Sequence, residues 1–210
     1  MPYLSADTRR EAFVDAAIDV IAKEGLTRAT TRRIAERADA PLGALHYCFR
    51  NKNELMELIY ERGAASIRDA LEKVDPSKGV ETTIRDSVGV YWRFIRDNLG
   101  LQLALFELGL WMIRNRREEM YANWNSFGVD QLRQKLDEAA RADGVELATP
   151  AAELARFLFH STDVLVLEYA VSGKKAVGQR QANLLADALV AMAGSPPRAD
   201  GRRPRSGSTS

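Results

Sequence analysis

The chain has 210 residues, 46% apolar and 28% charged, with 30 basic against 29 acidic side chains for a net charge of +1. Length and apolar content suffice for one small and one larger domain; the near-zero charge excludes a protein that coats nucleic acid with its whole surface, and a single cysteine excludes an intramolecular disulfide. No stretch reaches the roughly twenty apolar residues of a membrane span, and MPYLSADTRREAF lacks a signal-like apolar run, so a soluble, cytoplasmic chain is expected.

The first periodic segment is RREAFVDAAIDVIAKEG, with Phe13, Ala16, Ala17, Val20 and Ile21 on one helical face and Gly25 closing it. Thr30 and Thr31 offer hydroxyls to cap a second helix, in which Ile34, Ala35 and Ala38 recur at helical spacing. Asp39 tolerates the left-handed backbone of a sharp turn. Pro41 suits the first turn of a third helix, because its missing N–H would be unpaired there in any case. In that helix Leu45 and Phe49 pack inward, while Leu42, Gly43, Ala44, His46 and Tyr47 point outward as a small face edged by hydrogen-bonding rings. Arg28, Arg32, Arg33, Arg37, Arg50 and Lys52 surround it against only Glu36 and Asp39, a local positive excess suited to phosphates. Two short helices and a tight turn in this arrangement form a helix-turn-helix, which presents its second helix to a DNA major groove.

Beyond Lys52 the periodicity stays helical and nothing alternates as a strand does, so the chain is expected to be all-α. A helix over 53–74 should bridge two domains and end at the turn cluster DPSKG. Helices follow over 81–97, over 99–115 and over 116–142, with Gly128 a candidate break. The segment 99–115 is apolar all round and is expected to be buried on most of its surface. The last two helices, 150–172 and 179–192, carry apolar positions on more than one face, among them Phe157, Val164, Leu167 and Leu184. A second copy of the chain is one way to cover them; an internal core on both faces is the other. The tail 194–210, GSPPRADGRRPRSGSTS, cannot form a core and is expected to be disordered; its arginines add either non-specific attraction to DNA or mere solubility.

Segment 30–52 and its surroundings resemble the DNA-binding domain of the TetR family of bacterial transcriptional regulators. The likeness extends back over RREAFVDAAIDVIAKEGLTRAT and forward through Phe49, Asn51, Lys52, Glu54 and Leu55, which match the family's junction into a fourth helix. The chain departs from the family pattern at Asp39, where a glycine is usual, at Pro41, where a capping serine is frequent, and at Cys48, where histidine is common. Pro41 has no donor to give a phosphate, so its neighbours must position the helix. The resemblance implies phosphate contacts from Thr31, Tyr47 and Lys52, base-edge contacts from Arg32, Gly43, Ala44 and His46, and a thymine methyl against Leu42. It further implies a reading head over 5–52, an effector-binding and dimerisation domain over 53–193, and a repressor that binds a pseudo-palindromic operator as a homodimer through its last two helices.

Aromatic side chains crowd the middle helices and the eighth, and rigid apolar walls with a few polar groups suit a small apolar or aromatic effector. Trp92, Phe106, Trp111, Asn123, Trp124, Phe127, Phe159, His160 and Asp163 are the candidate lining residues, each with ordinary core packing as its alternative. Glu107 is a further available polar group. His160 and Asp163 share a helical face, but there is no second histidine outside the reading head to build a metal site. Ser161 beside His160 cannot face it on a helix. No catalytic residue, metal or cofactor is therefore expected, and Cys48 reads as a small apolar side chain rather than a redox sensor. Two other readings remain: a ligand-independent architectural DNA-binding dimer, and a helical enzyme acting on a pocket ligand.

Overall fold

The computed structural model describes residues 6–194, leaving aside the side chains of Glu118, Met120 and Trp124. The disorder expected of the tail and the candidate lining role of Trp124 lie outside the described residues, except that Gly194, counted with the tail, is the last residue of a helix. The described residues form nine α-helices and two single 3-10 turns, without a strand. In chain order these are α1 (Ala6–Glu24), α2 (Thr31–Arg37), α3 (Leu42–Cys48), α4 (Lys52–Leu71), α5 (Val80–Asp97), α6 (Leu99–Arg114), α7 (Glu118–Asp143), α8 (Ala151–Ser172) and α9 (Lys175–Gly194).

Two apolar cores divide the molecule. The first joins α1, α2 and α3 to the start of α4, through Leu55, Met56, Ile59 and Tyr60, and to one stripe of α6, Leu101, Ala104, Leu105, Leu108 and Met112. The second joins the end of α4, at Ile67 and Leu71, to α5, α7, α8 and α9. Helix α4 thus bridges the cores, as its position in the sequence suggests. The division expected between residues 52 and 53 falls at the first residues of this helix, and the packing changes sides about three turns later.

Helix α6 differs from its expectation. It buries the stripe facing the first core, yet Leu110 and Ile113 stay 41% and 47% exposed, because the rest of its circumference borders clefts rather than packed helices. Helix α7 runs unbroken through Gly128, and α9 begins at Lys175 rather than Gln179, so that only Gly173 and Lys174 separate α8 from α9. Both differences have one cause. A Cβ on Gly128 would stand 2.4 Å from the Phe159 ring, and a Cβ on Gly178 would stand 2.0 Å from the tip of Trp92. These glycines sit inside helices to let a ring from another helix approach the backbone, a use that outweighs their poor helix propensity.

Trp92 is 2% exposed, with its ring edge-to-face against Tyr169 at 5.2 Å. Gly178→Ala should gain about 1 kcal/mol of helix propensity but lose about 1–3 kcal/mol to overpacking on this enclosed ring. We expect a net lower melting temperature, measured by circular dichroism, with part of the loss recovered when Trp92→Leu is added to the same chain.

Candidate nucleic-acid interface and effector cleft

The reading face is built from local chemistry. The Thr30 hydroxyl accepts a hydrogen bond from the Arg33 N–H at 3.2 Å and so caps α2, whose Ile34 and Ala35 are buried. Asp39 takes up φ +50°, the left-handed turn, and Pro41 stands at the N-cap of α3 with its carbonyl accepting from the Ala44 N–H at 2.9 Å. Leu45, Cys48 and Phe49 point into the core. Leu42, Gly43, His46 and Tyr47 are exposed, Tyr47 by 82%, and a Cβ on Gly43 would meet nothing within 4 Å. Ala44 is half-buried beside them. Thr31 is half-buried at the first position of α2, and Arg32 is exposed.

A helix of seven residues does not hold itself together in water, so α3 depends on what backs it. Phe49 meets Phe13 edge-to-face at 6.1 Å. Arg10 contributes three contacts: its guanidinium donates to the Cys48 carbonyl, lies 4.8 Å over the Phe49 ring, and pairs with Glu54 at 3.0 Å. Arg10 positions the reading helix and escaped the sequence reading, since its partners lie roughly forty residues away in the chain and nothing local announces them.

The positive excess around the face is smaller than the local sequence suggests. Folding brings acids from elsewhere: Glu24 takes Arg33 at 2.7 Å, Asp19 takes Arg37, and Arg32 pairs with Glu36 at 3.1 Å. Arg50 reaches Glu54 at 3.4 Å. The Arg33 guanidinium holds the Glu24 carboxyl below its ordinary range, and Lys23 with Arg37 does the same for Asp19. Exposed pairs of this kind contribute little to stability, and they can be exchanged for phosphates. Lys52 forms no ion pair among the described residues, and burial lowers the pKa of its ammonium.

The candidate effector residues do not form one group. Phe106, Phe159 and Asp163 line a narrow cleft of about 70 Å³ between α6, α7 and α8, together with Tyr121 and Asn125. Gln102, Gly109 and Ile113 complete its α6 wall, at a helical spacing visible in the sequence. Trp92 is instead sealed beneath α9, and Trp111 borders a different cleft, its ring covered by the Arg117 guanidinium at 5.3 Å. Asn123 is exposed. Phe127 lies at the surface under the Arg68 guanidinium at 5.5 Å. His160 is exposed, with its ring edge-on to Phe159 at 5.7 Å.

At 70 Å³ the aromatic cleft is well below the roughly 300–1,000 Å³ of typical small-molecule sites. Phe159 is what closes it, wedged against Gly128 and edge-to-face with Tyr91 at 6.3 Å. The Tyr91 hydroxyl and the Gln131 Oε1 are buried without a hydrogen-bond partner, an arrangement that costs stability unless another polar group meets them. Asp163 is exposed at the rim of this cleft; the apolar walls beside it desolvate its carboxyl in part and raise it above its ordinary value, and His160 opposes this.

Comparison with known proteins places these observations. Residues 13–59 match the family described as bacterial regulatory proteins, tetR family. The HTH-type nicotine-responsive transcriptional repressor HdnoR of Paenarthrobacter nicotinovorans is 38% identical over 114 residues, 53% of this chain and 58% of that protein. The HTH-type transcriptional regulator BetI of Escherichia coli is 35% identical over 72 residues, 34% of this chain and 37% of its own length. The matched stretches therefore span little more than half of these relatives at most. Among solved structures, Salmonella enterica GusR superposes with a TM-score of 0.74 at 18% identity, covering 89% of this chain and 96% of that one. The transcriptional regulator FadR of Bacillus subtilis, in complex with stearoyl-CoA, gives 0.69 at 15% identity, covering 87% and 98%. The last two likenesses extend the fold over both cores.

The partial desolvation of Asp163 has a consequence for stability, a small one because the side chain is exposed. Its pKa is higher folded than unfolded, so between the two values the unfolded chain holds fewer protons and stability falls as pH rises; the penalty is complete once both forms are ionised. Asp163→Asn should therefore raise the melting temperature at neutral pH and leave it nearly unchanged at pH values below the ordinary carboxyl range. A melting temperature that does not rise at neutral pH would show the carboxylate to be solvated.

Proposed function

We propose that this chain, which belongs to the tetR family of bacterial regulatory proteins, is a cytoplasmic one-component transcriptional repressor, released from a pseudo-palindromic operator by a small aromatic or apolar effector. The observation that carries this is the face of α3. Leu42, Gly43, His46 and Tyr47 stand exposed on a helix fixed from behind by Leu45, Cys48, Phe49 and Arg10. Small side chains let the backbone come close to base edges, while the rings and hydroxyls beside them supply hydrogen bonds. Base contacts fall to Arg32, Gly43, Ala44 and His46, with Leu42 against a thymine methyl; Thr31, Tyr47 and Lys52 take phosphates.

One α3 makes too few phosphate contacts to hold DNA at physiological salt, so the mechanism requires two. Phe157, Val164 and Val171 recur every seven residues along α8, and with Leu167 and the Leu184 of α9 they leave a stripe of apolar side chains exposed by 45–88%. Self-association of this stripe about a two-fold axis gives a homodimer through the last two helices and aims two copies of α3 at successive major grooves.

The effector enters the aromatic cleft when Phe159 turns off Gly128. Phe106, Tyr121 and Phe159 supply flat walls, and Asp163 supplies a partly desolvated carboxylate at the rim that forms no ion pair among the described residues. An aromatic molecule carrying a protonated amine suits that combination, and the nicotine-responsive relative points to the same chemical class. The chain acts by binding, with no catalytic step.

Selection from a random-sequence DNA pool should recover a two-fold repeat. On that fragment Lys52→Ala should weaken binding to all sequences alike and reduce the salt dependence, whereas Arg32→Ala should relax preference at one position of each half-site, a loss of about 1–3 kcal/mol. Neither side chain belongs to either core, so unaltered gel shifts in both variants would remove the assignment.

A further inference from the structure

A second and larger cleft, of about 510 Å³, lies along the seam between the reading head and α6, and falls inside the size range of small-molecule sites. Leu26 and Met56 on the head and Leu110 and Trp111 on α6 give it apolar walls. Lys52 and Arg114 face it from opposite sides, and neither forms an ion pair among the described residues. The acid in the wall, Glu107, is already engaged: it accepts the Leu26 N–H at 2.5 Å, and its carboxylate lies 3.6 Å from where a Cβ of Gly25 would stand. The seam therefore carries two cations against the single carboxylate of Glu107, which is turned to the Leu26 N–H, and so keeps a positive excess against an apolar backing. Burial lowers the pKa of the Lys52 ammonium, so a bound negative charge would be answered by a partly desolvated cation.

We propose that this seam binds a small aromatic carboxylate, its anionic end on Lys52 and Arg114 and its flat body along Leu110, Trp111 and Met56, and that the bound molecule competes with DNA for Lys52. The site shares Leu110 with the cleft beside Phe159 but none of that cleft's other lining residues, and it takes the opposite charge, so that Asp163→Asn tells the two apart. Glu107 explains its mechanical leverage, since the same wall that would hold the ligand also caps the 3-10 turn (Leu26–Arg28) ahead of α2. Only the competition rests on the reading of Lys52 as a phosphate contact; the site itself does not.

Naphthoate is a suitable probe, with naphthylmethylammonium as its cationic counterpart. Titration calorimetry on the full chain should show one naphthoate bound per chain, about tenfold weaker in Arg114→Ala and undetectable in Leu110→Glu, which sets an acid in the seam at a surface position. The ammonium probe should not displace it. Saturating naphthoate should weaken binding to the selected DNA in the native chain; the effect should need about tenfold more naphthoate in Arg114→Ala and be lost in Leu110→Glu. Naphthoate affinity unchanged in both variants, equal binding of the ammonium, loss of naphthoate binding in Asp163→Asn, or DNA affinity indifferent to saturating naphthoate would each overturn the proposal. If the chain recovered no DNA at all, the repressor reading would fail while the calorimetric comparison still decided whether the seam is an anion site.

Discussion

Helix α6 belongs by chain position to the second half of the molecule and by packing to the first, and the remaining architecture follows from that double allegiance. Leu101, Ala104, Leu105, Leu108 and Met112 complete a core that α1 to α3 could not close alone. With two seven-residue helices, the reading head buries too little surface for independent stability. Each of these large apolar side chains, when fully buried, contributes roughly 1.5–3 kcal/mol, so the head stands only while α6 lies against it. What α6 touches on its other sides, the aromatic cleft and the seam, is thereby in mechanical contact with the helices that would meet DNA.

That arrangement makes the connection between sensing and reading short. Helix α4 runs from the first core into the second, and Glu107 ties α6 to the turn just ahead of α2. Any movement of α6 that accompanied the proposed opening of the cleft would act on both attachments together. No long chain of intermediates is needed, because the helix that lines the cleft is the helix that supports the head.

What could be seen in the sequence divides along one line. The cap at Thr30, the left-handed turn at Asp39 and the inward set Leu45 and Phe49 were readable, since each depends on neighbours within four residues. Arg10 under Cys48, Glu107 under Leu26, and the acids Asp19 and Glu24 that neutralise Arg37 and Arg33 were not, because their partners arrive only on folding. Gly128 and Gly178 show the same limit from another direction. A glycine in a helical stretch reads equally as a breaker or as room for a ring, and only the positions of Phe159 and Trp92 on other helices decide. The dispersal of the aromatic residues has this origin too: Trp92, Trp111 and Phe159 are alike in sequence character, yet one is core, one borders the seam and one lines the narrow cleft.

The brevity of α3 sets how much genetic information one chain can read. Two turns of helix span about 10 Å of groove, enough for a handful of base pairs, and so short a word recurs by chance throughout any bacterial genome. Address must therefore come from repetition: two copies at fixed spacing square the rarity of the word without adding a residue to the reader. With the pairing proposed above, mutations in the apolar stripe of α8 would change which genes are found as surely as mutations in α3, by altering the distance between words rather than their spelling.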